Sequence, residues 1–205
     1  MNRQIFYARI RETVAGGRLL AAQVTGIEAI LDQWDAVEPK GDLRQLAYML
    51  ATAWHETAAT MQPVRETLAR SDDAAIAILR KAYRAGKLPH VKKPYWERDR
   101  DGKSWLGRGL VQLTHKRNYL RLGRAIGLDL IAEPALAMDR AVAVKILFAG
   151  MAEGLFTGRK LSDHFNAVRS DWTGARRIIT GPESMERVAD LGRAFHEALV
   201  AATAT

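Results

Sequence analysis

Two short stretches of this chain carry residues able to do acid–base chemistry. The first is Trp54-His55-Glu56-Thr57, at the end of an almost uncharged run. The second, Gly107-Arg108-Gly109-Leu110-Val111-Gln112-Leu113-Thr114-His115, lies about fifty residues further on. From Gln45 to His55 there is no acid, lysine or arginine, so a helix over this run is apolar on nearly all sides and must be buried. Glu56 then falls in its last turn. Desolvation and the negative end of the helix dipole both favour a neutral carboxyl there, the condition for a general acid at neutral pH. Position alone equally allows a carboxylate that reaches solvent or pairs with an arginine.

Glu66 follows in Pro63-Val64-Arg65-Glu66, after the helix has broken. A carboxylate on a wet loop beside Arg65 is expected to stay ionised. One acid kept protonated and one kept charged is what glycoside hydrolysis requires. Gly107 and Gly109 allow close backbone approach around Arg108. Gln112, Thr114 and Asn118 offer amides and a hydroxyl suited to N-acetyl and hydroxyl groups of a sugar, with Thr114 and Asn118 on one helical face. Trp96, Trp105 and Tyr119 are candidate stacking faces, although each alone reads equally as core.

The elements that must position these residues read as mainly helical. Helices are expected over 5–14, 21–34, 43 to about 55 with Asp42 and Gln45 as a capping box, 73–85, 110–126, a long one from Pro134 to about Phe156, and shorter ones near 161–169, 173–179 and 184–201. The polar stretch 88–103, with Pro89, Pro94 and Asp101-Gly102, is irregular with room for a short hairpin. A length of 205 residues suits one sizeable core. The expected organisation is a single catalytic domain over 1–205, with a smaller lobe around 68–106 and no separate binding module.

Composition narrows the classes. The chain is 48% hydrophobic and 26% charged and has no cysteine, which excludes a disulfide framework and thiolate metal sites. A net charge of +8 favours polyanionic partners. Arg9, Arg11 and Glu12 interrupt the N-terminal apolar residues, so no secretory signal is expected. Lys145 and Glu153 break the longest apolar region, so no transmembrane segment is expected either. A helical zinc site fails because Ala59 stands where a second histidine would be needed after His55-Glu56, and no metal or other cofactor is expected. A basic tract from Arg80 to Lys103, interleaved with Tyr83, Tyr95 and Trp96, is the pattern of a nucleic-acid module. It suits an anionic envelope surface better as a partner, with nucleic acid not the main one.

The motifs together resemble glycoside hydrolase family 19, which holds chitinases and many bacteriophage endolysins. The resemblance rests on His55-Glu56-Thr57, Arg65-Glu66, the Gly107–His115 segment with Asn118-Tyr119, and Ala175-Arg176-Arg177-Ile178-Ile179-Thr180-Gly181. It implies a lysozyme-like, two-lobed helical fold with at most a small β-hairpin. It implies Glu56 as general acid, Glu66 as the base that activates water, and Thr114 as a holder of that water. Glu97 and Asp99 stay open as alternative second acids. His55, Arg108, Gln112, Asn118 and Tyr119 are the implied substrate-binding positions. The compact form and Gln62-Pro63-Val64-Arg65-Glu66 look most like endolysins of phages infecting Gram-negative hosts. That branch implies a monomer that hydrolyses peptidoglycan and waits in the host cytoplasm for holin-dependent release. Chitin is the alternative substrate.

Overall fold

The computed structural model describes residues 1–179, 181 and 183–204. Eight α-helices lie among them: α1 (Arg3–Thr13), α2 (Ala21–Val37), α3 (Leu43–Glu56), α4 (Asp72–Arg84), α5 (Lys116–Ile126), α6 (Arg140–Ala152), α7 (Leu161–His164) and α8 (Met185–Thr203). Two minimal antiparallel pairs accompany them. β1 (Val64–Arg65) pairs with β2 (Arg108–Gly109), and β3 (Phe165–Asn166) with β4 (Arg169–Ser170). The fold is mainly α and lysozyme-like.

The uncharged run forms the centre. In α3 every residue from Leu46 to Trp54 is buried. This helix packs chiefly on α8, which in turn covers α1, while α6 closes the core against α2 and α5. Asp42 starts α3 by accepting the Arg44 N–H, as an N-cap should. Gln45 does not complete a capping box; its Nε2 donates to the Phe165 carbonyl and ties β3 to the helix. At Gly26, α2 passes so close to the turn after α3 that an added Cβ would lie 1.8 Å from the Met61 carbonyl oxygen.

A second, smaller core gathers Ala75, Ile76 and Leu79 of α4 with Trp96 and Leu106. It forms under the polar stretch 88–103, where no hairpin occurs. The strands that do form, β1 and β2, bracket this cluster in sequence and join its two ends.

Several expected helices are shorter. The segment 110–115 is not helical: Gln112 and His115 adopt φ of 52° and 66°, and α5 begins only at Lys116. The long helix after Pro134 divides into a 3₁₀ turn (Pro134–Met138) and α6, because the Asp139 carboxylate takes the Val142 N–H and restarts the chain as an N-cap. The expected helix over 161–169 ends at His164 and becomes the β3–β4 hairpin. The one over 173–179 is a 3₁₀ turn, Gly174–Ile178.

Candidate active site

Glu56, at the C-terminus of α3, is nearly buried, with its side chain 13% exposed. It does not sit alone in an apolar setting. The buried Arg176 guanidinium donates from Nη1 to Glu56 Oε1 at 2.6 Å, and from Nε to the Glu183 carbonyl at 3.2 Å. Of the two arrangements open to Glu56 from its position, the structure adopts the arginine pair. Arg176 comes from the 3₁₀ turn before α8, and that turn is itself fixed by Asp171, whose carboxylate accepts the Gly174 N–H at 2.8 Å and contacts buried His164 at 3.1 Å. Burial disfavours the charge on Asp171, but these hydrogen bonds outweigh it and hold its carboxyl below the usual carboxylate range.

Glu56 and Arg176 line a cavity of about 300 Å³ with Gln112, Thr114, Asn118 and Glu183. A larger hollow of about 570 Å³, between α2, α3 and α6 and floored by Trp34, Met49 and Phe148, contains neither Glu56 nor Glu66. The chemistry therefore belongs to the smaller, more polar cavity. Thr114 and Asn118 share it although Thr114 precedes α5, so the turn, not a common helical face, brings them together. Asn118 Oδ1 is buried and has no partner within the protein. An unpaired buried acceptor facing a cavity is a site for a ligand N–H.

Glu66 stands beyond Gly107, next to β1. Its backbone N–H donates to the Gly107 carbonyl at 2.7 Å. Its Oε2 accepts the Gly107 N–H at 2.8 Å and its Oε1 accepts the Tyr95 hydroxyl at 2.6 Å. Burial and the Glu66 charge push the Tyr95 phenol up, so it remains a donor. Gln112 lines the Glu56 cavity and reaches toward β1. Its Nε2 donates to the Val64 carbonyl at 3.1 Å, and its Oε1 lies where a Cβ on Gly107 would come within 2.7 Å. That same Cβ would meet Glu66 Oε2 at 3.4 Å, so a side chain at position 107 would push the Gln112 amide aside. Non-glycine residues with positive φ cluster around these groups: Ala58, Ala59 and Met61 after Glu56, Thr67 and Leu68 after Glu66, and Gln112 and His115 in the Gly107–His115 segment. Backbone strain of this kind concentrates at functional sites.

Other expected site residues lie elsewhere. Arg108 is fully buried and does not reach the cavity. It donates to the Ser104 carbonyl at 3.0 Å, to the Tyr119 hydroxyl at 2.8 Å, and to Asp72. Tyr119 is equally buried and donates to the Leu106 carbonyl at 2.8 Å. Trp96 and Trp105 belong to the two cores and offer no stacking face. His55 is half-buried and outside the cavity lining, and burial pushes its imidazole below the usual histidine range. Glu97 is paired with Arg80, and Asp99 accepts from the Lys103 N–H, Trp105 and Lys116. Both alternative second acids are thus engaged away from the cavity. Thr180 lies outside the described residues. Among the described residues no cluster of three or more His, Asp or Glu side chains could hold a metal ion.

The Arg108 network gives a test of its own. Arg108→Leu strands the buried Ser104 carbonyl and one oxygen of Asp72, and leaves the Tyr119 hydroxyl with the Leu106 carbonyl as its one partner. Losing one partner of a buried ion pair costs about 3–5 kcal/mol. Urea denaturation should show a loss of that size. A variant with normal stability and a raised KM would instead mean that Arg108 touches substrate.

The architecture matches a solved relative. Chitinase C from Streptomyces griseus HUT6037 aligns with a TM-score of 0.58 at 20% identity, over 95% of this chain and 90% of that one. This likeness fixes the class of fold: the helical architecture of that chitinase. The family follows from the sequence. The model of the glycoside hydrolase 19 family, chitinase class I, matches residues 39–173, well over half of the chain, and the chain belongs to that family. That family is one of glycoside hydrolases. Endochitinase 1 of Theobroma cacao is 48% identical over 48 residues, 23% of this chain and 15% of that protein. The match therefore spans a small part of the cacao protein's length.

Proposed function

We propose that this enzyme hydrolyses the β-1,4 glycosidic bonds of peptidoglycan glycan strands. The observation that carries the chemistry is the meeting of Glu56 with Gln112, Thr114 and Asn118 in one polar cavity, with Glu66 held just beyond Gly107. Glu56 donates its proton to the leaving glycosidic oxygen. Arg176 then faces the carboxylate that this leaves behind, a preorganised counter-charge for the charge that develops. Glu66 takes the proton of the attacking water. Its two oxygens each accept one fixed hydrogen bond, so lone pairs remain for that proton. The Thr114 hydroxyl holds the water, and water attack from the face opposite the leaving group inverts the anomeric carbon. Gln112 and Asn118 bind the N-acetylated sugars, and His55 supports the end of α3. Arg108 and Tyr119 act from behind by fixing β2.

The biological reading is an endolysin, a monomer that lyses a bacterial host after holin-dependent release from its cytoplasm. A net charge of +8 supports an acidic polymer over neutral chitin. No helix among the described residues is long and apolar enough to cross a membrane. The second core supports a minor lobe around 68–106 within a single catalytic domain over 1–205, and its basic tract would meet the anionic envelope. Family membership favours chitin as the second reading. Purified sacculi and glycol chitin, compared at equal enzyme concentration, separate the two. Sacculi are expected to give the higher kcat/KM, and a preference for glycol chitin would make the enzyme a chitinase.

A further inference from the structure

A third cavity, of about 670 Å³, lies on the minor-lobe side of Glu66. His90, Val91, Lys92, Lys93, Tyr95 and His115 line it. It opens one side chain away from the reacting carboxylate, because the Tyr95 hydroxyl that helps line it donates to Glu66 Oε1. The Tyr95 and His115 rings pack at 4.3 Å between centroids, tilted by 52°, and make one wall. The other wall is cationic.

Apart from Glu66, which lies behind the Tyr95 hydroxyl, the nearby acids are engaged elsewhere. Glu97 is taken by Arg80, Asp73 by Arg98, Asp99 by Lys116, and Asp72 by Arg65 and Arg108. Among the described residues Lys92 and Lys93 form no ion pair, and both are exposed. The two sides of the Gly107 constriction therefore differ in chemistry. The Glu56 side presents an amide, a hydroxyl and a second amide from Gln112, Thr114 and Asn118. The far side presents two ammonium groups beside the aromatic wall.

We propose that Lys92 and Lys93, with the Tyr95–His115 wall, form a subsite for a carboxylate carried by the glycan, and that this subsite selects anionic over neutral N-acetylated polymers. The inference rests on the glycan-hydrolase reading of the Glu56–Glu66 cavity and deepens it from bond to substrate. One ring of the aromatic wall takes the face of a sugar ring, and the ammonium groups take the acid on its substituent. Such exposed charge contacts are individually modest and salt-sensitive. They discriminate because neutral chitin has nothing to place there.

The test is a ratio. KM is measured on carboxymethyl chitin and on glycol chitin, for the wild-type enzyme and for the double variant Lys92→Gln, Lys93→Gln. The variant's carboxymethyl-to-glycol KM ratio is expected to rise about 5-fold at low salt, and the difference should vanish near 0.5 M salt. An unchanged ratio overturns the subsite. Sacculi treated with an amidase, which removes peptide stems and frees the lactyl carboxylate, distinguish the two natural sources. A KM penalty found only on stripped glycan assigns the lactyl acid, one confined to native sacculi assigns the stem, and one on both means that the subsite takes either carboxylate; absence of a penalty on both overturns the proposal. Failure of the wild-type enzyme on all sacculi would remove peptidoglycan as substrate, while the chitin pair would still decide the subsite.

Discussion

Glu56→Gln is expected to lower kcat for glycan cleavage about 1,000-fold, within the range that a positioned general acid contributes. The substitution keeps shape and an acceptor oxygen but removes the proton that must reach the leaving group. Stability should change as well, because Glu56 is the only carboxylate that faces Arg176 among the described ion pairs. An unpaired buried charge costs about 3–5 kcal/mol, and the amide oxygen, still able to accept from Nη1, should hold the loss to about 1–3 kcal/mol. Reducing-sugar release and urea denaturation measure the two effects separately. A folded variant that keeps more than a tenth of wild-type activity would remove Glu56 from the proton-donor role.

Glu66→Gln is the second large effect, with an expected fall in kcat of about 100- to 1,000-fold and little change in KM. The local hydrogen bonds can survive it. The new amide oxygen can accept the Gly107 N–H, and the Tyr95 hydroxyl can turn to accept from the amide nitrogen. What disappears is the capacity to take a proton from water. An equal rise in KM with kcat preserved would make Glu66 a binding group. Because Glu97 and Asp99 are both tied to cations away from the cavity, neither is positioned to substitute.

The acids were easier to find from sequence than their surroundings. The uncharged stretch of α3 forces a buried helix, and Glu56 at its end follows from where that stretch stops. Arg176 is not visible in the same way, since it meets Glu56 only after the 3₁₀ turn packs beside α8. The Gly107–His115 segment misleads for a local reason. Leu110, Val111 and Leu113 suit a helix, but the chain takes left-handed conformations at Gln112 and His115, residue types that do not announce them. Arg108 reads as a cleft residue because arginine is rarely fully buried. Its burial depends on Tyr119 and on Asp72, which lies 36 residues away in sequence. Trp96 reads as a stacking platform because the polar composition of 88–103 conceals the second core beneath it, while Trp105 is taken up by the main core.

The most direct test of the central claim is the chemistry of the new chain ends. Purified sacculi are digested with the wild-type enzyme, and the released muropeptides are analysed by mass spectrometry with and without borohydride reduction. Hydrolysis by a Glu56–Glu66 pair predicts soluble disaccharide-peptides whose terminal hexosamine gains two hydrogens on reduction. Products ending in an anhydro sugar, unchanged by borohydride, would contradict water attack at the anomeric carbon, and release of peptides with the glycan intact would contradict glycosidic cleavage of peptidoglycan altogether.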